Sequence, residues 1–302
     1  MQHFKLGSRD SKLALVQARY VQDLLNNFGA TTEIICYKSD GDINLVQPLY
    51  EMGVQGIFTK TLDEALLNHK IDIAVHSLKD VPTQLPKGLT ICAVPIRANP
   101  FDVLLSSHEI TFGDHEKTIA TSSLRRKSQW LHKYPNHKVE NIRGNVHSRI
   151  RKLGENDHWS GAIFAQAGLE RLNIRHTNTI VLDWMIPAPA QGAIVLMCRD
   201  EDKILLEMGK QLTDTDALSC VTAERQFLRI LHGGCSVPIG CYAKIQDNCL
   251  HIEGCVLTVD GKEKLSATKI FNTEEYAIAG KILAEHLLDQ GASKIIETFR
   301  KA

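Results

Sequence analysis

The chain has 302 residues, 43% of them hydrophobic and 23% charged, which excludes a disordered or collagen-like protein. Thirty-five basic residues balance thirty-five acidic ones, so net charge gives no argument for nucleic acid or a membrane surface, and the apolar runs fall far short of the ~20 residues that span a bilayer. The N-terminus MQHFKLGSRD has no apolar signal core, and eight cysteines are too sparse for a disulfide scaffold, so a reducing, cytoplasmic location is expected.

In chain order, Phe4 to Gly7 reads as a strand, Ser8 to Ser11 offers helix caps, and Leu13, Val16, Tyr20, Val21, Leu24 and Leu25 recur at helical spacing. Thr31 to Tyr37 is a strand, Thr59 to His69 a helix, and Ile71 to Val75 a third strand that ends at His76. This alternation predicts a mostly parallel sheet, whose ligands sit beyond the carboxyl ends of the strands. Pro95, Asn99 and Pro100 mark a crossing into a second α/β unit. Its strands are Thr118 to Ala120, Lys138 to Ile142 and Ala162 to Ala165; its helices are Ser123 to His132 and Val146 to Leu153. Pro187, Pro189 and Gly192 mark a second crossing, followed by the strand Ala193 to Met197, which returns the chain to the first unit. Two lobes with a cleft between them follow. The remainder reads as a smaller α+β domain. It has a helix from Ala217 to Leu231, strands over Cys241 to Ile245, Leu250 to Val256 and Lys264 to Ile270, and a helix from Thr273 to Leu288. Asp247-Asn248 and Asp260-Gly261 supply its turns.

Charge is locally uneven. From Lys117 to Lys152 there are five lysines and five arginines against one acid, Glu140. Arg125 and Arg126 begin a helix after Thr121-Ser122-Ser123, and Arg143 precedes Gly144-Asn145 at another helix start. Helix N-termini favour anions, and guanidinium forks add bidentate carboxylate or phosphate binding. Arg9 is expected to face the same cleft. The rival for any one arginine is a solvated basic face. Extended nucleic-acid binding is disfavoured because only Trp130 and Tyr134 interleave with the basic residues. No Gly-rich phosphate fingerprint occurs, and without C-x-x-C or H-E-x-x-H no metal site is expected.

His76-Ser77-Leu78-Lys79-Asp80-Val81-Pro82 leaves the third strand where the cleft should be. A carboxylate there can stabilise a developing cation. At ~4 Å and a dielectric of ~20 the attraction is about 4 kcal/mol, or roughly three decades of rate if felt only in the transition state. The rival is a surface pair between Lys79 and Asp80. Gly233-Gly234-Cys235 places a thiol on a permissive loop, where it is more reactive than the strand cysteines Cys241, Cys249 and Cys255.

Taken in order, Gly7-Ser8-Arg9-Asp10-Ser11-Lys12-Leu13-Ala14, the His76–Pro82 segment, Thr121–Arg126, Arg143–Val146, Ala167–Leu172, Val221–Arg225 and Gly233–Gly240 resemble the hydroxymethylbilane synthase family, also called porphobilinogen deaminase. The resemblance implies a transferase that condenses four porphobilinogen molecules head to tail, releasing ammonia each time. Hydrolysis then frees linear hydroxymethylbilane, a tetrapyrrole precursor of heme. It implies a dipyrromethane cofactor joined by a thioether to Cys235, and Asp80 as the catalytic carboxylate. Arg9, Ser11, Lys79, Thr121, Ser122, Ser123, Arg125, Arg126, Arg143, Gly144, Arg149 and Arg171 would bind the cofactor and the substrate carboxylates. The implied fold is two periplasmic-binding-protein-like α/β lobes, 1–95 with 193–212 and 96–192, plus a C-terminal α+β domain, 213–302, carrying the cofactor cysteine. A cytoplasmic monomer without nucleic-acid or membrane partners is expected. Two departures are visible: Glu51 and Gln55 replace lysines expected near the active-site cover, and Ala190 replaces a glycine, which is expected to alter the hinge. The competing class is a non-catalytic two-lobe carboxylate-binding protein, which needs the arginines but not Asp80 and Cys235 together.

Overall fold

The computed structural model describes residues 2–38, 59–110, 112–113, 116–232 and 237–300. Glu51, Gln55 and Cys235 lie outside them. In the first lobe, β1 (His3–Arg9), β2 (Thr31–Tyr37), β3 (Ile73–Ser77), β4 (Leu89–Ala93) and β10 (Ile194–Arg199) form a sheet of order β2-β1-β3-β10-β4. β2, β1 and β3 run parallel, and β10 runs antiparallel to both its neighbours. The second lobe repeats this plan with β5 (Asp102–Leu105), β6 (Thr118–Ala120), β7 (Lys138–Glu140), β8 (Gly161–Ala165) and β9 (Thr179–Val181), in the order β7-β6-β8-β5-β9. Here β5 is the antiparallel strand. Each crossing therefore enters its lobe through the one reversed strand, beside the third parallel strand.

The helices form for local reasons. Ser11 caps α1 (Lys12–Asn27) by accepting from the Ala14 N–H, and Ala14, Ala18, Val21 and Leu25 point one face onto the sheet. Each large apolar side chain fully buried in this way contributes about 1.5–3 kcal/mol. Short helix α2 (Lys60–Leu67) covers the other face through Leu62, Ala65 and Leu66. Ser123 and Asn145 cap α3 (Leu124–Lys133) and α4 (Val146–Gly154). Short α5 (Gln166–Arg171) follows β8 directly, and α6 (Lys203–Leu212) packs on the first sheet.

In the third region β11 (Ile239–Gln246), β12 (Cys249–Leu257) and β13 (Lys264–Asn272) form an antiparallel meander. Asp247 and Asn248 take φ of 53° and 58°, the paired positive values of a two-residue hairpin. α7 (Thr215–Ile230), α8 (Tyr276–Asp289) and α9 (Ala292–Arg300) close its core. α7 is shared: Cys220, Ala223 and Phe227 face the meander, whereas Ala217 and Val221 join the core of the first lobe.

The two crossing segments touch. The Ala98 N–H donates to the Gly192 carbonyl at 3.2 Å. Gly192 has φ +88, and a Cβ there would stand 2.5 Å from the Ala98 carbonyl oxygen. Gly192→Ala is accordingly expected to cost ~2–4 kcal/mol, combining left-handed strain with a backbone clash, and urea denaturation would measure it. Ala190, two residues earlier, keeps a left-handed φ of 62° despite its Cβ, at a steric cost of about 1 kcal/mol.

Candidate active site

The C-terminal ends of two parallel strands, Ser77 of β3 and Ala165 of β8, line one cavity, where the β-α-β order leads one to look for a site. Beyond β3 the chain makes one 3-10 turn, Leu78–Asp80. Leu78 and Val81 are buried on either side, so Lys79 and Asp80 are presented half-buried between two apolar anchors. A cavity of about 160 Å³ lies against this turn. Its walls include Ser77 and Lys79 from the first lobe, and Arg126, Arg149, Phe164 and Arg171 from the second.

Lys79 Nζ donates to Gln191 Oε1 at 3.3 Å. Burial lowers its pKa to about 8, partly offset by the Asp80 carboxylate. Arg149 is more extreme. Burial, with Arg126 and Arg143 beside it, brings its pKa down to about 10. Among the described residues its Nε has no hydrogen-bond partner, and its guanidinium sits 5.0 Å from the Phe164 ring centroid. Among the described residues no carboxylate pairs with it. Arg171, also lowered by burial, donates to the Gly192 carbonyl at 2.6 Å and so touches the crossing.

The paired arginines are placed differently from a simple reading of their position. Asp102, fully buried at the start of β5, receives both: Arg125 ion-pairs with Oδ2 and Arg126 with Oδ1, each at 2.8 Å. Burial alone would raise the Asp102 carboxyl, but Arg125, Arg126 and a Gln191 hydrogen bond hold it at about 2. Arg125 also donates to the Ile186 carbonyl and Arg126 to that of Ile163. Arg126 reaches the cavity, and Arg125 faces the seam with the third region instead.

The hydroxyls carry local duties. Ser11 and Ser123 accept cap hydrogen bonds from Ala14 and Arg126, Thr121 Oγ1 accepts from the Ser123 N–H, and Ser122 donates to the Ile142 carbonyl. Gly144 takes φ +115, and a Cβ would lie 2.2 Å from Ser148 Oγ, so the start of α4 needs a glycine. Arg9 pairs in register with Tyr37 and lies on the α2 side of the sheet with His76. Burial, then the Arg9 charge, depresses His76 to about 3, leaving a neutral imidazole. Among the described residues no group of three or more His, Cys, Asp or Glu is placed to hold a metal ion.

Four contributors were not singled out from sequence: Arg97, Asp102, Gln191 and Glu224. Gln191 is a hub, accepting from Lys79 and donating to Pro100 O and Asp102 Oδ1 at 2.7 and 2.8 Å. Fully buried Glu224 on α7 binds Arg97 through both oxygens, at 2.7 and 3.0 Å, and accepts from the Ala190 and Ala243 N–H groups. It thereby ties both crossings to β11. Glu224 falls inside the Val221–Arg225 segment and Gln191 at the second crossing, but nothing local marks their partners, which lie 19 to 127 residues away.

Residues 4–207 match the family model "Porphobilinogen deaminase, dipyromethane cofactor binding domain", and residues 218–289 match "Porphobilinogen deaminase, C-terminal domain". A porphobilinogen deaminase of Syntrophomonas wolfei is 40% identical over 307 residues, covering 100% of each chain. One of Syntrophotalea carbinolica is 39% identical over 298 residues, covering 97% of this chain and 94% of its own. Among solved structures, the periplasmic VFT2 domain of Bordetella pertussis BvgS aligns with 14% identity and a TM-score of 0.43, covering 70% of this chain and 86% of that one. The methionine-binding protein MetQ aligns with 14% identity and a TM-score of 0.42, covering 70% and 89%.

Proposed function

The chain belongs to the porphobilinogen deaminase family, and from that premise we propose that Asp80 is its catalytic carboxylate, that Cys235 carries the dipyrromethane, and that Lys79, Arg126, Arg149 and Arg171 grip the carboxylates of the pyrrole chain. The reaction is the transferase condensation of four porphobilinogen units, with loss of ammonia, to hydroxymethylbilane.

The observation that carries the site assignment is Arg149. A half-buried guanidinium whose shielded Nε has no hydrogen-bond partner among the described residues, with two other arginines nearby, costs folding free energy. Such a cluster is compensated when an anion arrives. Each pyrrole ring carries an acetate and a propionate, so a dipyrromethane presents several carboxylates and fits this wall. When bound, the cofactor supplies the pyrrole carbon that receives the incoming unit. The chain's own residues do the rest. Lys79 and Arg149 hold carboxylates, and Arg171 ties the wall to the crossing. The Asp80 carboxylate, presented on the turn beyond β3, would stabilise the positive charge that develops as ammonia leaves. It then holds or passes on the proton released when rings join. Arg9, Ser11, Thr121, Ser122, Ser123, Arg143 and Gly144 are proposed to complete the wall, with Arg125 acting through Asp102.

The proposed division into 1–95 with 193–212, 96–192 and 213–302 is supported by three sheets whose strands come from those ranges. We propose that the chain works as a monomer. A cytoplasmic location is proposed, in which the seven described cysteines would stay reduced.

Arg149→Gln tests the assignment. It should raise KM for porphobilinogen ~10–100-fold, the worth of one charge-assisted hydrogen bond. Thermal stability should hold or rise, because like-charge repulsion is relieved. An unchanged KM would remove Arg149 from the site.

A further inference from the structure

We propose that Arg225 is a positioning residue for this reaction: from α7 it clamps the turn that presents Lys79 and Asp80. The inference rests on the catalytic reading of Asp80.

The geometry is specific. Arg225 Nη1 donates to the Val81 carbonyl at 2.8 Å and the Leu78 carbonyl at 3.3 Å, and Nη2 donates to the Pro82 carbonyl at 2.7 Å. All three acceptors, Leu78, Val81 and Pro82, flank Lys79 and Asp80. Among the described residues no carboxylate pairs with Arg225, and burial brings its pKa down to about 10. A guanidinium taken out of water for packing alone would normally be given an acid. Here its charge is spent on carbonyls: among the described residues those of Val81 and Pro82 accept no backbone hydrogen bond, and that of Leu78 also closes the 3-10 turn with the Val81 N–H.

The clamp comes from outside the lobe it holds. Arg225 continues the α7 face of Ala217 and Val221 that packs on the first lobe. Its neighbour Glu224 fastens the same helix to Arg97, Ala190 and Ala243. The turn is thus referenced to the crossings and to the third region at once. Its own sheet supplies one backbone bond, from the Leu78 N–H to the Ala193 carbonyl at 3.0 Å. Without the clamp, Leu78 and Val81 still seed the turn, but the peptide planes around Asp80 lose their outer tether. A carboxylate displaced by ~1 Å can lose about two decades of rate.

The test is a double-mutant cycle on the full-length, cofactor-loaded enzyme. Arg225→Gln should lower kcat by ~10–100-fold with KM changed less than about threefold, and the covalently bound mass should be retained. Arg225→Lys, which keeps donors but not the fork, should recover part of the loss. In an Asp80→Asn background, Arg225→Gln should change the residual single-turnover rate by less than ~twofold, because its effect passes through that carboxylate. A purely structural role would show the full loss in both backgrounds and would overturn the proposal, as would an unchanged kcat. If Arg225→Gln is not recovered folded, the same cycle is run with Arg225→Lys, expected at ~3–10-fold in the wild type and none on Asp80→Asn. A near-normal rate for Asp80→Asn alone would instead sink the catalytic reading and the clamp's purpose together. Full additivity over an inactive Asp80→Asn sinks only the clamp.

Discussion

Replacing Asp80 by asparagine is expected to lower kcat by ~10³-fold while fold, bound cofactor and KM stay nearly unchanged. The substitution keeps shape and hydrogen-bonding reach but removes the charge. Asp80 is half-buried at the end of the 3-10 turn, so its side chain is not a core element whose loss would unfold the lobe. Leu78, Val81 and the Leu78–Ala193 backbone bond keep the turn in place without it. A carboxylate ~4 Å from a developing ring cation, in surroundings of effective dielectric ~20, is worth about 4 kcal/mol, or three decades. The effect should appear in kcat rather than KM, because the charge it answers is absent from the bound substrate. Single-turnover consumption of porphobilinogen, with a thermal melt as fold control, is the measurement. A near-normal rate would take Asp80 out of the mechanism.

Cys235→Ser should abolish turnover outright and remove the covalent mass. Purified under denaturing conditions, the wild-type chain is expected to exceed its polypeptide mass by two linked pyrrole units, and the serine variant to show the bare mass. The other thiols explain why no substitute takes over. Cys220 is pushed up to about 12 by burial, with Glu224 adding to it. Cys255 is pushed to about 11 and Cys241 well above its ordinary value, also by burial. A thiol held protonated is a poor nucleophile. Cys92 and Cys198 give their hydrogens to the Leu196 and Arg199 carbonyls within the first sheet. Cys36 and Cys249 are more accessible, but neither adjoins the cavity walls. A wild-type chain of bare mass that gains none on incubation with porphobilinogen would place the attachment elsewhere or nowhere.

The Arg149, Gly192 and Arg225 substitutions separate three kinds of dependence. Arg149 is proposed to trade stability for anion binding. Gly192 secures the contact between crossings, where only a residue without Cβ passes the Ala98 carbonyl. Arg225 carries geometry from one region to another.

Much of this protein was determined locally. The helix caps at Ser11, Ser123 and Asn145, the Asp247-Asn248 hairpin and the apolar spacing of α1 are short-range chemistry, and each is visible within a few residues. The two crossings could be read because prolines and glycines interrupt periodicity where the chain changes lobe. The local excess of arginine between residues 117 and 152 pointed to an anionic ligand, and the ordered motif segments pointed to the family. Short elements escaped: β4, β5, β9 and α5 have three to six residues, too few to establish a period, and the longer helices α6 and α9 were not read either.

What the tertiary structure decided is which charges are spent and which are kept. Arg125, Arg126 and Arg149 look alike in the chain. Only folding brings Asp102 to the first two and leaves Arg149 against Phe164 and other cations. Arg97 and Glu224 are 127 residues apart, and Arg225 meets the Asp80 turn from more than 140 residues away. A side chain's sequence neighbours set its backbone conformation, but its electrostatic partner depends on which strand ends and helix faces the topology brings within a few ångströms. That information resides in the packing of three regions around two crossings, and no window of local sequence contains it.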